Sequence, residues 1–268
     1  MLIAQITDCH VVEPGELVAD RVDSAAALQR TVEQIEALPT PPDLVVATGD
    51  LVNDGRPAQY DRFQEIVGAL SAPLVAVPGN HDDRSELRAR VAELPHGGPD
   101  DPIDHVLDVG PLRLVFLDTL VPGSIGGAVR PGQLAWLHDV LTEAVDRPTV
   151  VFQHHPPFVT GIGFMDDATF SGAAAYATTL ARHPQVELVS CGHLHRAIVH
   201  RFAGTIACTW PATCVTLDLG LGDVPIRYTE EPPGFALHLW DSAVGLRSHL
   251  VPVGDYDRWT PSWATATV

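Results

Sequence analysis

Five short groups in this chain carry carboxylate, imidazole and carboxamide side chains: Asp8-x-His10, Gly49-Asp50, Asn80-His81, His154-His155 and His193-x-His195. Such donors form a hard-to-borderline set that suits Zn, Fe, Mn or Co rather than a thiolate site. Seven candidate ligands (Asp8, His10, Asp50, Asn80, His154, His193 and His195) exceed what one ion uses while it also binds water. Two divalent or mixed-valence ions about 3.5–4 Å apart, sharing one carboxylate, account for the count. Such a pair generates a hydroxide at neutral pH and clamps the oxygens of a phosphoryl transition state. Asp50 is the best placed to bridge. Asp8 and His10 lie two residues apart, as do His193 and His195, so each pair reaches one ion only where the backbone turns between its members.

Every group needs an element to deliver it. The run Asp43 to Thr48 is continuously apolar after its first residue and stops at Gly49, which reads as a buried parallel strand presenting Asp50. Ligands of open α/β sheets sit beyond the carboxyl ends of such strands. Equivalent strands are expected at Leu2 to Thr7, Leu74 to Val77, Thr149 to Gln153 and Val186 to Ser190, with a strand pair at His105 to Val109 and Leu112 to Leu117. Helical spacing of Ala25, Leu28, Val32 and Ile35 predicts a helix from about Asp23 to Leu38. Pro57 and Pro131 open two more helices as first-turn prolines, and shorter ones are expected at Arg84 to Leu94 and Ala174 to Arg182. The pattern then changes to alternating strands at 198–202, 205–209, 234–239 and 245–251, which read as an antiparallel second half. Residues 158–173 are irregular and directly follow a site group, so they read as a flap over the pocket.

With 268 residues, one α/β domain over 1–251 and a tail over 252–268 are expected. The formal net charge of -18 repels nucleic-acid backbones and anionic lipid, which argues against a polynucleotide partner and a membrane surface. No apolar run is long enough to span a bilayer, and the chain opens directly on a strand, so a cytoplasmic protein is expected. Cys9, Cys191, Cys208 and Cys214 form no CxxC pair and read as reduced, buried thiols. Trp210, Tyr228, Trp240 and Trp259 read as core or interface packing, although Trp210 and Cys214 lie on a segment that could line the pocket. Arg84 is the one cation within the groups and follows Asp82-Asp83, which can neutralise it. A site without a cationic clamp favours singly charged diesters over monoesters.

Taken together and in this order, the groups resemble the calcineurin-like metallophosphoesterase superfamily over nearly the whole chain. That resemblance implies a four-layer α/β/β/α sandwich of two mixed sheets with flanking helices. It also implies that Asp8, His10 and His195 hold one ion, that Asn80, His154 and His193 hold the other, and that Asp50 bridges them. His81 is then a phosphate contact or proton donor rather than a ligand, and with Asp50 it forms the catalytic pair. Gly49-Asp50-Leu51-Val52-Asn53-Asp54-Gly55, Pro78-Gly79-Asn80-His81-Asp82-Asp83-Arg84 and His154-His155-Pro156-Pro157 are similar to bacterial class III cyclic-nucleotide phosphodiesterases and the glycerophosphodiesterase-type enzymes beside them. Asn53, Asn80, His81 and His155 are the substrate-binding residues this implies. The expected activity is hydrolysis of a small phosphodiester, a cyclic nucleotide or a glycerophosphodiester, by a chain that can form a homo-oligomer. The competing expectations are a phosphomonoesterase, a nuclease, or a metal-bound regulatory scaffold of weak activity.

Overall fold

The computed structural model describes residues 1–91 and 94–264. Its first half alternates strand and helix: β1 (Leu2–Ile6), α1 (Ser24–Glu36), β2 (Leu44–Thr48), α2 (Pro57–Val67), β3 (Leu74–Val77) and α3 (Arg84–Arg90). Next come β4 (His105–Val109), β5 (Leu112–Leu117), α4 (Pro131–Thr142), β6 (Thr149–Gln153), α5 (Gly163–Asp167), α6 (Ala173–Leu180) and β7 (Val186–Cys191). The remainder is β8 (Ile198–Phe202), β9 (Thr205–Thr209), β10 (Thr216–Leu217), β11 (Tyr228–Thr229), β12 (Gly234–Asp241) and β13 (Gly245–Pro252).

Two large sheets result, one ordered β13-β12-β1-β2-β3 and one ordered β4-β5-β6-β7-β9-β8, with β10-β11 as a separate two-stranded ribbon. Alternation along the strands shows why they stack. On β2, Leu44 and Val46 enter the core between the sheets while Val45 and Ala47 face α1 and α2. On β5 and β6, Leu114, Phe116, Val150 and Phe152 share that inner core, and Val115, Leu117 and Val151 face α4 and α6. Strands buried on both faces need apolar side chains on both, which is why they read as unbroken runs. The layers are therefore α/β/β/α, as the resemblance implies.

A buried polar network joins the two sheets just below the strand ends. The Gln5 amide donates to Thr48 Oγ1 (2.8 Å), and Ser190 Oγ donates to Gln5 Oε1 (2.5 Å). His238 Nε2 lies 2.9 Å from the same Gln5 oxygen, and Trp210 Nε1 donates to Ser190 Oγ. Trp210 is thus a core residue between the sheets and not part of the pocket wall.

The second half departs from its expected form. Apart from the two-stranded β10–β11 ribbon, its strands extend the two large sheets: β9 runs parallel to β7, β8 pairs antiparallel with β9 at that edge, and β12 and β13 return to pair antiparallel beside β1. Each pre-existing sheet had an open edge, and pairing satisfies its backbone groups. Helix α3 ends at Arg90 because Val91 is extended; of the expected continuation to Leu94, positions 92 and 93 lie outside the described residues. The irregular stretch 158–173 contains α5, a turn of helix the sequence pattern did not reveal. Among the described residues no helix is long and apolar enough to cross a membrane.

Candidate metal centre

β1, β2, β3, β6 and β7 all end at one rim of the sandwich, and each delivers one of the five groups there. Beyond the strands the chain takes an uncommon turn. Asp8, His10, Asp50, His193 and His195 all have positive φ, between 44° and 71°. Each left-handed residue of this kind costs about 1–2 kcal/mol. The turn is what lets Asp8 with His10, and His193 with His195, face the same point from alternate positions. Glycines admit the close approach of the loops: a Cβ on Gly79 would lie 2.2 Å from Asp50 Oδ1, and one on Gly192 would lie 2.0 Å from Thr7 Oγ1.

Each carboxylate has one oxygen held by the protein and the other turned to imidazoles. Asp50 Oδ1 accepts from the His81 backbone N–H (2.8 Å), while Oδ2 lies 3.6 Å from His10 Nε2 and 3.4 Å from His154 Nε2. Asp8 Oδ2 accepts from Thr7 Oγ1 (2.7 Å) and the His193 N–H (2.9 Å), while Oδ1 shares that N–H at 3.2 Å and lies 3.4 Å from His195 Nε2. The histidines are oriented from behind. His154 Nδ1 donates to Thr48 O and His195 Nδ1 to Val215 O, both at 2.8 Å, which leaves each Nε2 lone pair pointing inward. A backbone carbonyl holding the far ring nitrogen is the usual support of a metal-ligating histidine.

Two facing imidazole nitrogens, His10 Nε2 and His195 Nε2, stand only 3.1 Å apart. His154 Nε2 is 3.2 Å from Asn80 Oδ1, and the buried His193 Nε2 has no hydrogen-bond partner. The ligand atoms of Asp8, His10 and His195 lie within 4.8 Å of one another, as do those of Asp8, Asp50 and His154. Inward lone pairs, an orphaned buried nitrogen and two buried carboxylates fit transition-metal ions.

The electrostatics agree with that fit. Burial pushes the Asp8 carboxyl up, against the pull of His195 and His154. Burial pushes Asp50 the same way, but His154, His10 and His81 hold it well below the usual carboxylate range. Burial disfavours a charged His154, yet the Asp50 carboxylate raises it to about 9. His193 is lowered to about 3 by burial and by His154. The cluster calls for positive charge at its centre.

The remaining site residues have separate places. His81 is exposed; its Nδ1 donates to the Asn53 carbonyl (2.6 Å), which leaves Nε2 for the cavity. Asn53 therefore orients His81 through its backbone, in addition to lining the cavity itself. His155 has no nitrogen to offer: Nδ1 accepts from Thr119 Oγ1 (2.8 Å) and Nε2 donates to Ile125 O (3.1 Å). It shapes the wall behind His193 instead of reaching substrate with a ring nitrogen.

Arg84 is neutralised, but by a partner distant in sequence. Its guanidinium forms a two-point pair with Asp118 (2.6 and 3.0 Å) and reaches Leu120 O, all of it buried. Asp82 instead accepts from Leu51 N, Gly79 N and Tyr60 Oη, pinning the β2 and β3 loops together. Sequence reasoning gave Asp82 to Arg84 and did not foresee its bond with Tyr60. It also placed Tyr228 among packing residues, whereas Tyr228 is 48 % exposed and lines the cavity. Trp259, 81 % exposed, is no core residue either. The four cysteines are free and buried, and Cys214 Sγ donates to Asp8 O.

The sequence profile of the family described as "Calcineurin-like phosphoesterase" matches residues 1–197. A probable glycerophosphodiester phosphodiesterase GpdQ of Arcobacter nitrofigilis is 32% identical over 96% of this chain and 95% of its own length. A cAMP/cGMP dual specificity phosphodiesterase of Mycobacterium tuberculosis is 34% identical over 81% of this chain and 69% of its own length. Among solved structures, a dimetal phosphatase from Danio rerio shares the fold with a TM-score of 0.62 at 20% identity, covering 94% of this chain and 99% of that one.

Proposed function

Because the chain belongs to the calcineurin-like phosphoesterase family, we propose that it hydrolyses small organic phosphodiesters at a dinuclear centre. Asp8, His10 and His195 would hold one transition-metal ion, Asn80, His154 and His193 a second, and Asp50 would stand between them. The donor set suits Fe, Mn, Zn or Co. Such ions supply Lewis-acid charge stabilisation and a nucleophile at neutral pH.

The protein's own groups then divide the remaining work. Asp50 Oδ1 and the His81 backbone are hydrogen-bonded, so the bridging carboxylate and His81 are positioned together. With Nδ1 committed to Asn53, His81 presents Nε2 to a phosphate oxygen or to the departing alkoxide. Deep burial of the ligands keeps bulk water from competing with these dipoles.

The observation that carries the diester reading is the charge of the cavity. No arginine lines it, and Arg84 is buried against Asp118. A diester carries one negative charge and a monoester nearly two, so a monoester's extra charge finds no arginine clamp here beyond the ions themselves. Relatives named as glycerophosphodiester and cyclic-nucleotide phosphodiesterases support the same class. The test is bis(p-nitrophenyl) phosphate against p-nitrophenyl phosphate, which share a leaving group. A diester preference of about tenfold or more in kcat/KM, roughly 1.4 kcal/mol, is expected. Equal or better turnover of the monoester would overturn the diester assignment.

A further inference from the structure

The cavity over the ligands, of ≈ 370 Å³, runs into a second of ≈ 260 Å³, and Phe164, Leu217 and Ile226 line both. Together they make a trough that leads away from the centre. Its wall is apolar and open: Phe164 is 44 %, Ile226 41 %, Tyr228 48 % and Leu219 57 % exposed. Isolated exposed apolar side chains are ordinary, but a continuous set lining a groove marks a surface that something covers.

This wall is built, not frayed. The β10–β11 ribbon sets Leu217 opposite Tyr228, and Leu217 N–H donates to the carbonyl of His195 (3.4 Å). Further out, Gly163 N donates to Gly222 O (2.9 Å) and Gly222 N to Gly161 O (2.8 Å), which joins the loop after β10 to the start of α5. Asp166 braces the same segment by accepting from Thr160 N, Thr160 Oγ1 and Gly161 N. Among the described residues, Asp50 is the one charged side chain besides the imidazoles that lines the first cavity, while Asp218 and Arg227 line the second. An ester substituent extending from the centre therefore meets hydrocarbon and two open ring faces. Polar groups of the first cavity (Asn53, Asn80 and the imidazoles) cluster at the centre, and along the trough wall of Phe164, Leu217, Ile226 and Tyr228 the Tyr228 hydroxyl is the one polar side-chain group.

Resting on the diester reading above, we infer that this trough is a substituent subsite that selects nucleoside-bearing phosphodiesters over glycerol-bearing ones. A nucleobase stacks on Tyr228 or Phe164 through its π-face, and such stacking is tolerant of base identity.

The experiment separates this inference from its parent. Turnover of bis(p-nitrophenyl) phosphate reports on hydrolysis alone. The trough is read by calorimetric Kd values of the Mn²⁺-loaded protein for adenosine 5′-monophosphate and glycerol 3-phosphate, which carry the same phosphate. The nucleotide is expected to bind about tenfold tighter or more, and Tyr228→Ala to reduce that advantage to within about threefold, while Tyr228→Phe keeps it. Ile226→Ser, on the same wall, is the second variant should Tyr228→Ala fail to fold, and it is expected to shrink the advantage in the same direction. Equal affinities in the unmodified protein, or an advantage that survives these substitutions, would overturn the subsite whether or not the protein hydrolyses diesters.

Discussion

At the scale of single residues the site depends on backbone strain that only its own contacts explain. Five of the seven candidate ligands adopt left-handed φ values, and none of their residue types announces this. The ligand types and their spacing were legible in the sequence; the turn between Asp8 and His10 was not, because long-range bonds such as Asp8 N to Gly49 O and His10 N to Asp50 O impose it. Gly79 tests how closely these loops must approach. A methyl there would sit 2.2 Å from Asp50 Oδ1 and 2.4 Å from Asp50 N, so Gly79→Ala is expected to displace the Asp50 loop. Elemental analysis should then find at least one metal equivalent lost. His81→Ala makes the opposite case. Although its imidazole lies within 4.8 Å of the ligand atoms of His10 and Asp50, His81 is not one of the seven proposed ligands, so both ions should remain while kcat falls about 10²–10⁴-fold. Loss of an ion from that variant would make His81 a ligand instead.

At the scale of elements, two buried polar contacts hold the helices to the site loops. Arg84, the first residue of α3, is paired with Asp118 at the end of β5. Arg84→Met leaves that carboxylate buried without its partner, which should cost about 3–5 kcal/mol in urea unfolding without raising KM. A raised KM at unchanged stability would mark Arg84 as a substrate clamp. Asp104 offers a test by pH. Burial pushes its carboxyl up to about 6, although the Asp118 N–H and the Gln133 amide both donate to it. A folded value above the unfolded one favours the folded state when protonated, so Asp104 adds stability below its unfolded value and loses it as pH rises through about 6. Between pH 7.5 and 4.5 the unmodified protein should gain about 2 kcal/mol relative to Asp104→Asn; a relative loss would reverse the assignment. Strands β1, β2, β5, β6 and β7 and the longer helices were readable because each is a buried apolar run or a helical stripe with proline or cap residues at its ends, while the more exposed β4 and β8 were readable from alternation and flanking turns. What escaped were α5 and the β10–β11 ribbon, five residues and two pairs long. Elements that short carry no periodicity, and tertiary bonds alone define them. The two-sheet membership of β8, β9, β12 and β13 escaped for a related reason, since alternation shows that a strand is half-buried but not which edge it joins.

Across the whole molecule, charge is sorted by use. All 16 basic residues are arginine, against 34 acidic ones. Several arginines are spent on structure: Arg84 on Asp118, Arg113 on Asp108 and the Val140 carbonyl, and Arg88 on the carbonyls of Pro95, Gly98 and Asp101. What remains is an acidic body in which two buried carboxylates, Asp8 and Asp50, stand among histidines at one rim. Everything proposed here, from the turned ligand pairs to the singly charged substrate, requires two ions held on either side of Asp50. The most direct measurement is therefore the metal content of the Mn²⁺-reconstituted chain beside that of Asp50→Asn, by elemental analysis after gel filtration. Two ions per chain are expected in the unmodified protein, and no more than one in the variant, with turnover of bis(p-nitrophenyl) phosphate nearly abolished. A single ion in the unmodified chain, or two retained in Asp50→Asn, would contradict the bridged centre.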